Sequence, residues 1–211
     1  AIIKPIDDTT KEIIFSSNVN SDKFALMHKV SCFNYNLILI PKNIKTEIEI
    51  SGNASFLHLI IIAEENSEVK IKEIFNVKDL MSYAVEIIAK ENSKIKYLSS
   101  TNASDKYFFA EYKADLEENA EIKWLTALKN GKFSRITIEN NLNGINSIAK
   151  TATMSLLNNK SQAEIYTISR HKQKHTFSDT LSKGVVKDSS KLLIRGLTRV
   201  EKNAPDSDGY E

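Results

Sequence analysis

The chain has 211 residues, 41% apolar and 27% charged, an ordinary globular balance with enough apolar content for one continuous core. Its formal charge of +2 arises from 29 basic and 27 acidic residues interleaved along the sequence, which excludes the basic block of a nucleic-acid binder. The single cysteine, Cys32, excludes a disulfide framework or a multi-cysteine metal site, and with no signal peptide and no apolar run near the roughly 18 to 20 residues of a membrane span, a cytoplasmic protein is expected.

Residues 1 to 23 are mixed and polar and read as an opening segment, with a turn at Val19-Asn20-Ser21-Asp22. Residues 24 to 211 read as one elongated domain. Leu37–Ile40 forms a strand stopped by Pro41, Lys42-Asn43 a turn, and Thr46–Ile50 a second alternating strand. After a buried strand at Phe56–Ala63, one phrase is written three times: AEENSEVKI from Ala63, AKENSKIKY from Ala89 and LEENAEIKW from Leu116. Ser67, Ser93 and Ala120 mark the same place in each copy, 26 and 27 residues apart. Self-similarity at such a period is the signature of a solenoid whose units bury their apolar faces only against neighbours.

Each copy places a turn-forming Asn or Ser before an alternating strand, and a second strand lies between copies at Tyr83–Ala89, Phe108–Leu116 and Arg135–Leu142. The expected fold is all-β, a parallel β-helix with two strands in each coil of 26–27 residues. Val69, Ile71, Ile95, Tyr97, Ile122, Trp124, Ala163 and Ile165 are expected as rungs of one inward ladder. Weaker copies set Ser147, Ser161, Ser190 and Ala204 at steps of 27, 14, 29 and 14. Gly52-Asn53, Asn130-Gly131 and Asn143-Gly144 carry hairpin-like turn signals.

Read column by column, Glu68, Lys94 and Glu121 stack opposite charges, and Lys70, Lys96, Lys123 and Lys150 form a lysine column expected to be a solvated face. His171 and His175, four apart, lie about 13 Å apart on an extended strand, too far to share a metal ion. Cys32 reads as a small buried hydrophobe. Asp206-Ser207-Asp208-Gly209 lacks the third acidic ligand of a calcium loop and reads as a turn. No phosphate loop, zinc-protease helix or nucleophile elbow occurs, and no paired carboxylates can be assigned to a groove. A carbohydrate-active β-helix enzyme and a plain structural solenoid stay open as alternatives.

The last third carries a longer pattern: Arg170-His171-Lys172-Gln173-Lys174-His175-Thr176-Phe177-Ser178-Asp179, then Lys183-Gly184, Leu193-Ile194-Arg195-Gly196-Leu197 and Asp208-Gly209-Tyr210-Glu211. Together with Phe24-Ala25-Leu26, Ile40–Asn43 and Val85–Tyr97, it resembles the SufB/SufD family, scaffold subunits of the SUF iron–sulfur cluster assembly machine. The resemblance implies a right-handed parallel β-helix and no catalysis. It implies pairing with a second SufB/SufD-type subunit, as homo- or heterodimer, and with the ABC-type ATPase SufC through a C-terminal helical region expected to lie outside this chain. Neither nucleic acid nor membrane is an expected partner. The chain is expected to hold no cofactor of its own, the cluster residing transiently in the full complex, because the Cys and His linked to nascent clusters lie beyond the final motif. Phe75, Thr101 and Ala103 align where SufB-type members carry a tunnel Cys and a Gln/Trp pair, which favours a SufD-like or archaeal-type member. His171, His175, Thr176, Ser178, Asp179, Lys183, Gly184, Arg195, Gly196, Asp208 and Tyr210 are the family-motif positions, read as structural or interface groups. A dimer contact is expected at Leu192, Ile194, Leu197 and Val200, where an unpaired coil end needs cover.

Overall fold

The computed structural model describes residues 2–5, 23–32, 35–52 and 54–211. In chain order the strands are β1 (Ile2–Pro5), β2 (Tyr35–Ile40), β3 (Lys45–Gly52), β4 (Phe56–Ala63), β5 (Glu68–Asn76), β6 (Leu80–Ala89), β7 (Lys94–Asn102), β8 (Tyr107–Leu116), β9 (Glu121–Lys129), β10 (Phe133–Leu142), β11 (Ile148–Leu157), β12 (Gln162–His171), β13 (Phe177–Val186), β14 (Lys191–Val200) and β15 (Asp208–Tyr210). The helix α1 (Lys23–Ser31) precedes β2. Sheet one stacks β1 and the even-numbered strands in layer order, and sheet two stacks the odd-numbered strands from β3 to β15. Each coil thus contributes one strand to each sheet, and the protein is a parallel β-solenoid. Among the described residues the one antiparallel pair is β1 with β2.

Period-two alternation places one face of every strand inside. Val69, Ile95, Ile122 and Ala149 form one interior column, and Ile71, Tyr97 and Trp124 the next. Ala163 and Ile165 do not continue these columns. They lie on β12 in sheet one, above Ser134 and Ile136, because a step of 14 residues is half a coil and moves the chain to the opposite sheet. At fully buried positions each large side chain contributes roughly 1.5–3 kcal/mol, which makes the shared column the main source of cohesion.

The corner before each sheet-two strand explains why Asn recurs there. Asn43, Asn66, Asn92, Asn119 and Asn146 all adopt left-handed backbone, with φ between 54° and 60°. Asn tolerates that region better than other side chains. The amides also bond from layer to layer, Asn92 donating to Asn66 at 3.2 Å and Asn146 to Asn119 at 3.1 Å. The following Ser67 and Ser147 donate their hydroxyls to the carbonyls of Glu64 and Gly144. Further along, His175 and Asp206 take the left-handed place, and Thr176 and Ser207 continue the hydroxyl column. Ala204 instead closes a separate turn onto Glu201.

The glycine dipeptides do not make hairpins. The strands flanking Asn130-Gly131 and Asn143-Gly144 belong to different sheets, so the chain crosses between sheets there instead of folding back on its neighbour. Gly144 lies so close to the preceding corner that a Cβ would stand 2.1 Å from the Glu117 carbonyl carbon. Asn53 and the expected turn at residues 19–22 lie outside the described residues.

The boundary at residue 24 falls inside α1. Leu26, Met27 and Lys29 favour helix, and the helix packs on the outer face of sheet one, with Phe24 stacked on Phe109 at 4.5 Å. The parallel coils begin at Tyr35.

Candidate functional site

Alternation that buries Val69 and Ile71 also carries Glu73 inward, to 1% exposure. Its carboxylate is met by three hydroxyls from β7 and β8. Ser99 Oγ and Tyr112 Oη donate to Oε1 at 2.7 Å each, Tyr97 Oη donates to Oε2, and Tyr83 Oη stands 3.2 Å from Tyr97 Oη. Burying an ionised carboxylate costs several kcal/mol. A hydrogen bond to a charged group returns roughly 1.5–3 kcal/mol, so three donors bring the site near balance. Burial pushes the Glu73 carboxyl above the usual carboxylate value, and the hydroxyl donors act in the opposite direction. Burial first, then the Glu73 charge, raises the Tyr97 and Tyr112 phenols. The arrangement can hold a proton within a sealed hydroxyl cage.

Sequence reading missed Glu73 by leaving it among the alternating surface charges. The signal was available, since two positions beyond Ile71 is again an inward place. The column through Glu73 continues as Ser99, Thr126, Thr153 and Ser182. Beside it, Trp124 Nε1 donates to Asn140 Oδ1 at 2.8 Å and Asn140 Nδ2 donates to Thr151 Oγ1 at 3.2 Å. The interior therefore changes from aliphatic to hydroxyl-lined along the axis. Phe75 and Thr101, register partners, face this interior, and Ala103 is buried at its margin.

The C-terminal motif is divided between the inside and the outside of the last coils. His171 ends β12 fully buried, its Nδ1 2.7 Å from Thr176 Oγ1 and its Nε2 2.9 Å from Ser178 Oγ. Burial lowers its basicity. His175 sits outward at the left-handed corner, 4.0 Å from Asp206. The chain turns between the two histidines, so they occupy no common extended strand, and one faces in and the other out. No group of three metal-ligating side chains occurs among the described residues.

Asp179 and Lys183 are exposed rungs opposite Lys150 and Met154. Gly184 faces Leu192, where a Cβ would stand 2.1 Å from Leu192 Cδ2. Arg195 lies 5.6 Å from the Tyr166 ring. Gly196 leaves room for Glu211, which accepts from Thr198 at 2.7 Å. Asp208 and Tyr210 pair with Phe177 and Asp179 in β13, and the Tyr210 ring lies 5.9 Å from Phe177. These residues build the terminal coils.

Leu192, Ile194 and Val200 continue the inward columns of Ala163, Ile165 and His171. Among the described residues β14 closes sheet one, and there Ile194 and Val200 are 39% and 51% exposed. Leu197 is also exposed but stands on the outer face, above Ile168. Of the expected contact, three residues face the coil interior and one stands on the outer wall.

At α1, His28 Nδ1 lies 2.9 Å from Ser82 Oγ and its ring 5.3 Å from that of His58, which bonds Glu86 at 3.1 Å. Burial, with His58 adding, lowers the His28 pKa to about 4. Cys32 is buried at the end of this helix.

These features define a parallel β-solenoid whose apolar interior encloses a hydroxyl cage around Glu73. The family described as "SUF system FeS cluster assembly, SufBD core domain" matches residues 43–211, and the chain belongs to it. An iron–sulfur cluster assembly SufBD family protein of Synechocystis sp. is 29% identical over 212 residues, covering 89% of this chain and 44% of that protein. Proteins of the same description from Staphylococcus epidermidis and Staphylococcus aureus are 22% and 23% identical over 197 residues, covering 87% of this chain and 42% of each. The chain spans less than half the length of these curated relatives. Among the described residues, no helix is long and apolar enough to cross a membrane.

Proposed function

We propose that the chain is the core of a non-catalytic, cytoplasmic scaffold subunit for iron–sulfur cluster assembly, whose cargo is the cluster and whose work is done through protein contacts. Its partners on this reading are a second SufB/SufD-type subunit, the same or different, and a SufC-type ABC ATPase. The observation that carries the reading is the match of residues 43–211 to the SufBD core domain. On this reading the second subunit seats against the side chains of Leu192, Ile194 and Val200 on β14. Family membership supplies the kind of assembly. The His171 motif fits a scaffold, because both ring nitrogens are engaged by neighbouring hydroxyls within the coil.

The test is anaerobic co-purification of the full-length protein with a SufC-type ATPase and a SufB/SufD-type subunit, repeated with the Leu192→Asp/Val200→Asp double variant. Retained ATPase and lost subunit pairing in the variant is the expected result. Absence of both associations in the unaltered protein would overturn the reading.

A further inference from the structure

Sheet two carries two parallel columns on its outer face that the coil end does not use. Lys70, Lys96, Lys123 and Lys150 are register neighbours in four successive layers. Two positions along each later strand runs a second column, Leu98, Leu125, Ala152 and Leu181, with Met154 beside it. Leu125, Met154 and Leu181 are 43%, 56% and 53% exposed, on a wall that the fold itself does not require to be apolar. A contiguous exposed apolar patch beside charges of one sign marks an interaction surface.

We propose that this face docks an acidic amphipathic helix of a partner protein, laid along the solenoid axis. Spacing supports a helix in that direction. Layers repeat about every 4.8 Å and helical turns every 5.4 Å, so the two stay within about 2 Å of register across four layers. One stripe of the helix rests on Leu125, Met154 and Leu181 while its carboxylates reach the lysine column. Lys96 makes no ion pair among the described residues, whereas Lys70 is held by Glu47 and Lys123 by Glu121 at its own strand. Glu68, Glu121 and Asp179 lie among the lysines, so an anionic lipid surface would meet them unfavourably, whereas a helix can set its few carboxylates opposite Lys96 and Lys150 alone. A second copy would bring lysine against lysine. The inference rests on this wall alone and stands apart from the SUF scaffold reading.

The probe is a fluorescein-labelled helical peptide with a leucine stripe flanked by glutamates, titrated into the full-length protein at low and high salt. A control peptide carries lysines in place of the glutamates. Saturable, salt-weakened binding of the acidic peptide alone is expected, falling about tenfold or more in Leu125→Asp/Met154→Asp and in Lys96→Glu/Lys123→Glu. Circular dichroism and melting of both variants should match the unaltered protein, since all four side chains are exposed. Equal binding of both peptides, binding unchanged in the variants, capture of anionic phospholipid vesicles in place of the peptide, or burial of the face by self-association in sedimentation would each overturn the proposal. Loss of SufC co-purification with peptide binding intact would sink only the scaffold reading.

Discussion

Ser99 stands one layer above Glu73 in the register of β5 and β7 and donates its hydroxyl to Glu73 Oε1 at 2.7 Å. Only a coil step of 26 residues brings these two together, so the buried acid depends on the repeat itself. Its titration should be visible in stability. Glu73 binds its proton more tightly in the fold than in the unfolded chain, where the value is about 4.3. Between those two values the native state carries more protons, and stability must fall as pH rises. Urea midpoints for the unaltered protein should decline as pH rises above the unfolded value of about 4.3, relative to Glu73→Gln, whose amide does not ionise. Parallel curves for the two would refute this.

Tyr97→Phe removes one donor from the cage and leaves Glu73 Oε2 short of a partner. The expected loss is about 1–3 kcal/mol, measured by denaturant unfolding. Combined with Glu73→Gln the loss should shrink, because a neutral amide suffers less from the missing hydroxyl; additive losses would show that the two side chains do not interact.

Asn119 adopts φ 54° and its amide oxygen accepts from Asn146 one layer on. Asn119→Val forces a β-branched side chain into left-handed backbone and should cost about 1–3 kcal/mol, while Asn119→Gly should cost only a few tenths. Thermal melts of the two variants separate the backbone effect from the lost amide ladder.

Gly144→Ala tests the closeness of adjacent corners. A Cβ there would fall 2.1 Å from Glu117 backbone, which cannot rotate away as a side chain could. A loss of about 1–3 kcal/mol is expected, and an unchanged melting temperature would show that the corner shifts freely.

His28, whose folded value is lowered to about 4, is stabilising when neutral. Its contribution is complete above the unfolded value of about 6.5 and is lost as pH falls toward about 4. The groups facing it are His58, Ser82 and Phe56, with Tyr35 and Glu86 around His58. Hydrogen exchange of α1 should therefore accelerate on acidification before the coils do, and His28→Leu should abolish that early phase.

The stacking of Ser67, Ser93 and Ala120 was legible because a residue one coil later must return to the same corner. Ala163 and Ile165 stand on the wall opposite the expected one, since a half-coil copy looks like a full one when only the phrase is compared. Glu73 escaped notice because glutamate between lysines normally faces water, and parity had to be weighed against residue type. His171 with Ser178 depends on a corner at His175 that alternation cannot locate, Asn being replaced there. Helix α1 was obscured by Phe24 and Val30, which suit a strand, and only its docking on Phe109 shows why the helix persists.

The interior changes its chemistry along the axis, from Ile71 and Phe75 in early layers to Thr151, Thr153 and Ser182 in late ones. Layers that touch only their neighbours open first where they hold the least apolar surface. The hydroxyl-lined layers are the loose lay of this rope, and amide exchange should run ahead there of the layers around Ile71 and Phe75.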